Sequence, residues 1–99
     1  MPVYIINNMN VRDRDEYKAY LRGFMPVFEQ YGGTVLAAQD NPVPAEGEWP
    51  YHRTILLSFP SRQLAELWSN SPEYKRIAAH RHAGTTSNVL FLDGLTSDA

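Results

Sequence analysis

Two short runs of this 99-residue chain, Ile55-Leu56-Leu57 and Val89-Leu90-Phe91-Leu92, are apolar at every position. Each lies in a segment that reads as a β-strand, RTILLSF at 53–59 and SNVLFLDG at 87–94. Successive side chains of a strand point to opposite sides of the sheet, so both faces of these strands need cover. A chain of this length makes one domain, whose helices can cover one face only. A second copy of the sheet is the simplest cover for the other, through an isologous homodimer. The alternative is a single-chain sheet that leaves a few leucines exposed, as protein surfaces often do.

The remaining elements follow from local patterning. VYIINN at 3–8 predicts a first strand and TVLAAQ at 34–39 a second. Between them Asp13 precedes Glu16 by three residues, the spacing of a capping box. Tyr17, Tyr20, Leu21, Phe24, Phe28 and Tyr31 then recur at spacings of three and four, the stripe of an amphipathic helix. Gly32 and Gly33 end that helix, and Pro26 should kink its last turns. Ser61 caps a second helix with Leu64, Ala65, Leu67 and Trp68 inward. Ser71 and Pro72 restart it, with Glu73 suited to the positive end of the dipole. Residues 40–52, with three prolines and a glycine, form a long connection. The order is β-α-β-β-α-β, the pattern of a ferredoxin-like α+β sandwich with a four-stranded antiparallel sheet and its helices on one face. A single domain spanning 1–95 is expected, with 96–99 a loose C-terminal tail.

Composition removes several functional classes. Hydrophobic residues at 43% and charged residues at 20% describe an ordinary globular chain. The net charge of −2 is spread along the chain, with no basic stripe to neutralise phosphates, so nucleic acid is not an expected partner. The absence of cysteine excludes disulfides and thiol chemistry. No run of about 18 apolar residues could span a bilayer, and the amino terminus has no leader pattern, so a cytoplasmic protein without membrane contact is expected. There is no phosphate loop, no G-x-G-x-x-G and no paired-carboxylate motif, and Ser61 lacks a nucleophile-elbow context.

The stretch RIAAHRHAG at 76–84 carries two of the three histidines. On a helix starting at Pro72, His80 and His82 stand roughly 200° apart at about 100° per residue, too splayed to close on one metal ion. No metal is expected. Arg81 is more informative, because it continues the face of Tyr74, Ile77 and Ala78. A buried guanidinium has three solutions. It can snorkel outward, pair with an internal carboxylate (Glu16, Glu29 or Asp93), or line a cavity and receive an anionic ligand.

Other candidates are weaker. Tyr31 and Tyr74 could move protons in a pocket between helices and sheet, as could His52 at the entry to the third strand, although tyrosines at such positions are commonly core-edge residues. Trp49, in the proline-rich loop, is a candidate to close a ligand pocket beside Arg81.

YGG at 31–33, EGEW at 46–49, FPS at 59–61, Trp68, SPEY at 71–74 and Arg81 in AAHRHA resemble the domain-of-unknown-function 1330 family over nearly the whole chain. The resemblance implies a dimeric α+β barrel in which two ferredoxin-like sheets pack face to face. The wider superfamily includes cofactor-free monooxygenases, lactone isomerases, haem-using dismutases and small-molecule binders. His80 and His82 depart from the family pattern, and no haem-ligand pattern is visible. The expectation is a protein that binds or transforms a compact anionic or carbonyl-bearing metabolite in a helix–sheet cleft, without a bound cofactor. As an enzyme it would be a cofactor-independent isomerase, lyase or monooxygenase-like protein. The alternative is a non-catalytic dimeric ligand-binding or interaction module.

Overall fold

β1 (Val3–Val11) lies between β3 (Arg53–Phe59) and β4 (Thr85–Asp93), and β2 (Thr34–Asp40) extends the sheet beyond β3, giving the order β2-β3-β1-β4 with every pair antiparallel. The structure, a computed structural model, describes residues 1–95. The tail expected at 96–99 lies outside the described residues. α1 (Arg14–Gln30) connects β1 to β2, and α2 (Arg62–Asn70) with α3 (Pro72–Gly84) connects β3 to β4. This is the ferredoxin-like α+β topology.

Local chemistry sets the boundaries. The Asp13 carboxylate accepts the backbone N–H groups of Asp15 and Glu16, so α1 starts where the sequence predicts. The Glu16 side chain does not reach back to the cap; its Oε2 lies 2.7 Å from His80 Nδ1, because α3 ends beside the first turn of α1. Gly84 permits that approach. A Cβ there would stand 2.7 Å from the Glu16 Cβ, and the Gly84 carbonyl accepts from the N–H groups of Arg12 and Asp13. α1 continues through Pro26 to Gln30. Gly32, at φ +84°, then takes the left-handed conformation that stops the helix. Ser61 and Ser71 cap α2 and α3 by accepting the N–H groups of Leu64 and Tyr74.

Register assigns the faces. Val3, Ile5, Asn7 and Met9 of β1 share a side with Ile55, Leu57 and Phe59 of β3, and the helices cover that side. Against it pack Tyr17, Tyr20, Phe24 and Phe28 of α1, Ala65 and Trp68 of α2, and Tyr74 and Ala78 of α3. Each fully buried large side chain contributes roughly 1.5–3 kcal/mol relative to exposure. Leu21 and Leu67, expected inward, are 42% and 52% exposed, because each sits about 100° around its helix from a bulkier aromatic that takes the core position. β1 runs three residues beyond the predicted Asn8, since β4 pairs with it as far as Val11.

Tyr4, Ile6, Leu56, Leu90 and Leu92 fall on the opposite side, where no helix covers them. Ala37, Leu56, Ile6 and Leu90 stand opposite one another in turn, an apolar row across all four strands.

Candidate functional site

The helix repeat brings Tyr17, Tyr20 and Phe24 of α1 to one face, and Tyr74, Ala78 and Arg81 of α3 to the face opposing it. Tyr20 and Tyr74 meet through their hydroxyls at 3.0 Å, and the Tyr74 ring lies 4.0 Å from that of Trp68 between centroids. Burial pushes the Tyr20 hydroxyl far above the usual phenol range. The charge and hydrogen bond of Tyr74 add to that, while Arg81 works against it. Tyr20 therefore stays protonated and serves as a hydrogen-bonding group, not a base.

Arg81 turns inward, at 9% exposure, and its guanidinium carbon lies 5.9 Å from the Tyr20 ring centroid. One guanidinium nitrogen, Nη2, stands 3.4 Å from His82 Nε2, while Nε is buried with no partner. None of the three carboxylates considered as partners forms an ion pair with it: Glu16 engages His80, Asp93 engages Arg62 at 2.8 Å, and Glu29 makes no salt bridge among the described residues. Among the described residues, Trp68 Nε1 and Asn7 Oδ1 are buried and likewise unpartnered.

A cavity of about 150 Å³ opens beside Tyr20, between α1 and the strands β1, β2 and β3. Tyr20, Leu21, Phe24 and Met25 form its helical wall, and Val35, Ala38, Ile55 and Leu57 its sheet wall. Asn7 and Arg53 are the polar lining residues besides Tyr20. Arg53 Nε donates to the Tyr17 hydroxyl at 3.1 Å, and Nη1 to Asp40 Oδ1 at 2.7 Å. Burial opposes the Arg53 charge, but those hydrogen bonds outweigh it and the pKa is raised.

The five residues singled out in the sequence are only partly brought together. Tyr74 and Arg81 meet around Tyr20. His52 is exposed at the start of β3, in a wider depression outside the cavity, with its backbone N–H donated to Asn10 Oδ1. Tyr31 is half-buried at the far end of α1, in a groove against Leu67 and Pro72. Trp49 lies on the sheet side away from the helices, with Nε1 donated to Thr54 Oγ1 at 3.3 Å. Beside it the Asn88 amide donates to the Tyr51 hydroxyl. Within one chain, therefore, Trp49 does not stand beside Arg81, and the cavity is lined by Tyr20 and not by Arg81 or Tyr74. His80 meets Glu16 and His82 the Arg81 guanidinium, and among the described residues no three histidine, aspartate or glutamate side chains gather in a way that could hold a metal ion.

Asn7 and Arg53 were missed in the sequence. Their signal is register: Asn7 shares a face with Val3, Ile5 and Met9, and Arg53 with Ile55 and Leu57, so each is a polar residue at a core-facing position.

Solved structures agree on the architecture. A protein of unknown function from Rhodopseudomonas palustris superposes at a TM-score of 0.83 with 23% identity, covering 96% of this chain and 83% of the other. SnoaB, a cofactor-independent oxygenase from Streptomyces nogalater, superposes at 0.68 with 12% identity, covering 97% and 95%. A dimeric ferredoxin-like protein of unknown function from a Jannaschia species gives 0.66 with 11% identity, covering 95% and 100%. No curated protein matches the chain. Residues 2–95 match the family described as a domain of unknown function, DUF1330, and on that match, which takes in every element of the fold, the chain belongs to the DUF1330 family.

Proposed function

We propose that this protein binds a compact anionic or carbonyl-bearing metabolite in the layer between its helices and its sheet, as a homodimer and without a bound cofactor. The observation that carries this reading is Arg81, buried with an unpartnered Nε and, among the described residues, in no ion pair with a carboxylate. An unpaired buried charge costs several kcal/mol. A ligand oxygen would relieve that cost, and the planar fork suits a carboxylate or a polarised carbonyl. The Tyr20–Tyr74 hydroxyl pair and Asn7 add hydrogen-bonding groups that fix orientation.

The likeness in fold to a cofactor-independent oxygenase supports a version of this reading in which the ligand is transformed. Tyr74 would then donate to a developing oxyanion, with His52 or Tyr31 relaying a proton from outside the cavity. A specific observation favours the non-catalytic version. The polar groups of the cavity wall are an amide, a phenol and a guanidinium, and none of them titrates near neutrality.

A thermal-shift panel of small carboxylic acids and carbonyl compounds tests the reading. At least one should raise the melting temperature of the wild type and lose most of that effect in Arg81→Lys, because an ammonium does not reproduce the bidentate fork. A panel that shifts neither protein counts against it.

A further inference from the structure

We propose that the ligand enters at a cationic mouth centred on Arg53, where its carboxylate takes the place of Asp40 and its ring-sized body fills the cavity behind. This rests on the reading of the helix–sheet layer as a ligand site, and assigns the carboxylate to Arg53, which lines the cavity, instead of Arg81, which does not. The cavity and the wider depression outside it share a rim formed by Leu21 and Arg53. The outer depression, about 600 Å³, carries Arg14, Lys18 and Arg53 against one acid, Asp40, among its described lining residues. Such a cluster draws anions toward the rim. The inner cavity, about 150 Å³, has mostly apolar walls, and a dry cavity on the order of that size accepts a benzene-sized molecule. A ligand that suits both has an anionic head and an uncharged ring.

Arg53 is arranged to exchange partners. Its Nε is held by Tyr17, a core residue, while its Nη1 meets an aspartate whose side chain is 71% exposed, against 24% for the arginine. An ion pair with one partner so far in water contributes little, so Asp40 can swing out while the guanidinium keeps its place. A ligand carboxylate would then receive the freed N–H groups. Register sets the reach. Arg53 stands opposite Met9 and Ile55 opposite Asn7, so Arg53 and Asn7 are diagonal neighbours on the helix-facing side, with backbones roughly 7 Å apart. Both side chains line the cavity, so one ligand can touch both. Asn7, 8% exposed with an unpartnered Oδ1, would accept a hydrogen bond from a hydroxyl across the ring. The chemical class is an aromatic monocarboxylate bearing a ring hydroxyl.

Titration of the full chain with 4-hydroxybenzoate, benzoate and uncharged benzyl alcohol, followed by calorimetry, tests this. The hydroxylated acid should bind best and the alcohol worst. Asp40→Asn should tighten 4-hydroxybenzoate by about threefold, as removal of one exposed competing carboxylate implies. Arg53→Gln should weaken it by about tenfold or more, as loss of a charge-assisted contact implies. Should Arg53→Gln fail to fold, the Asp40→Asn gain and the ranking of the three probes decide the matter. No binding of either acid to the wild type, or equal affinity in wild type and Asp40→Asn, overturns the mouth. Binding that Arg81→Lys abolishes and Arg53→Gln leaves intact also overturns it, while the buried site stands.

Discussion

The hydroxyls of Tyr20 and Tyr74 meet at 3.0 Å within the helix–sheet layer, joining two helices whose residues lie 54 positions apart. Tyr74→Phe leaves the Tyr20 hydroxyl buried and unpaired, at a cost of about 1–3 kcal/mol. Replacing both with phenylalanine removes donor and acceptor together and should recover much of that loss. Chemical denaturation of the four proteins measures the coupling. A double variant that loses the sum of the two single losses would show that the pair is incidental.

Tyr20 also makes stability depend on alkaline pH. Its pKa is raised, foremost by burial, so the fold favours the neutral phenol. Below the ordinary phenol value of about 10 that contribution is complete. It falls as pH climbs above that value, because the unfolded chain releases a proton that the fold retains. Tyr20→Phe should remove about 1.4 kcal/mol per pH unit from that decline. Denaturation at stepped pH between 9 and 11 measures both slopes, and parallel slopes would remove Tyr20 from the account.

Much of this architecture was legible because it is encoded locally. The caps Asp13, Ser61 and Ser71 act on N–H groups two or three residues on, and β3 occupies its predicted residues from Arg53 to Phe59. The inward turn of Arg81 follows from its place seven residues after Tyr74. Trp49 and His52 were beyond such reasoning. Their loop is held by Asn10, whose Nδ2 donates to the Pro50 carbonyl and whose Oδ1 accepts from the His52 N–H, across 40 and 42 residues without any periodic signal. The cavity was hidden for a related reason. Asn7 becomes a buried, unpartnered acceptor only once β3 and β4 flank it and α1 closes over it.

Arg81 should be costly to the empty fold. Since no carboxylate among the described residues forms an ion pair with it, Arg81→Met removes an unpaired buried cation and leaves a flexible apolar chain in its volume. The variant should be as stable as the wild type, or more stable by roughly 1–4 kcal/mol. This is the reverse of what an internal ion pair would give, where an orphaned carboxylate would cost about 3–5 kcal/mol. Urea denaturation of both proteins without ligand separates the two, and a large loss in Arg81→Met would reveal an acidic partner.

The uncovered sheet face motivates the last prediction. Ala37, Leu56, Ile6 and Leu90 cross it in one row, and Tyr4 stands opposite Leu92 in the next. Within one chain Leu90 is 53% and Leu92 46% exposed, so the row faces water unless a second sheet packs on it. Two such sheets stack about 10 Å apart, and a stable pair should bury at least roughly 1,000 Å². Leu90→Glu puts a charge into that contact, where burial without a partner costs several kcal/mol. Because Leu90 is half open to solvent in the single chain, the fold itself should tolerate the change. Light scattering should therefore report two chain masses for the wild type and one for Leu90→Glu, with similar circular dichroism. A wild type that scatters as one chain at micromolar concentration would leave this face bare in solution and end the dimer proposal.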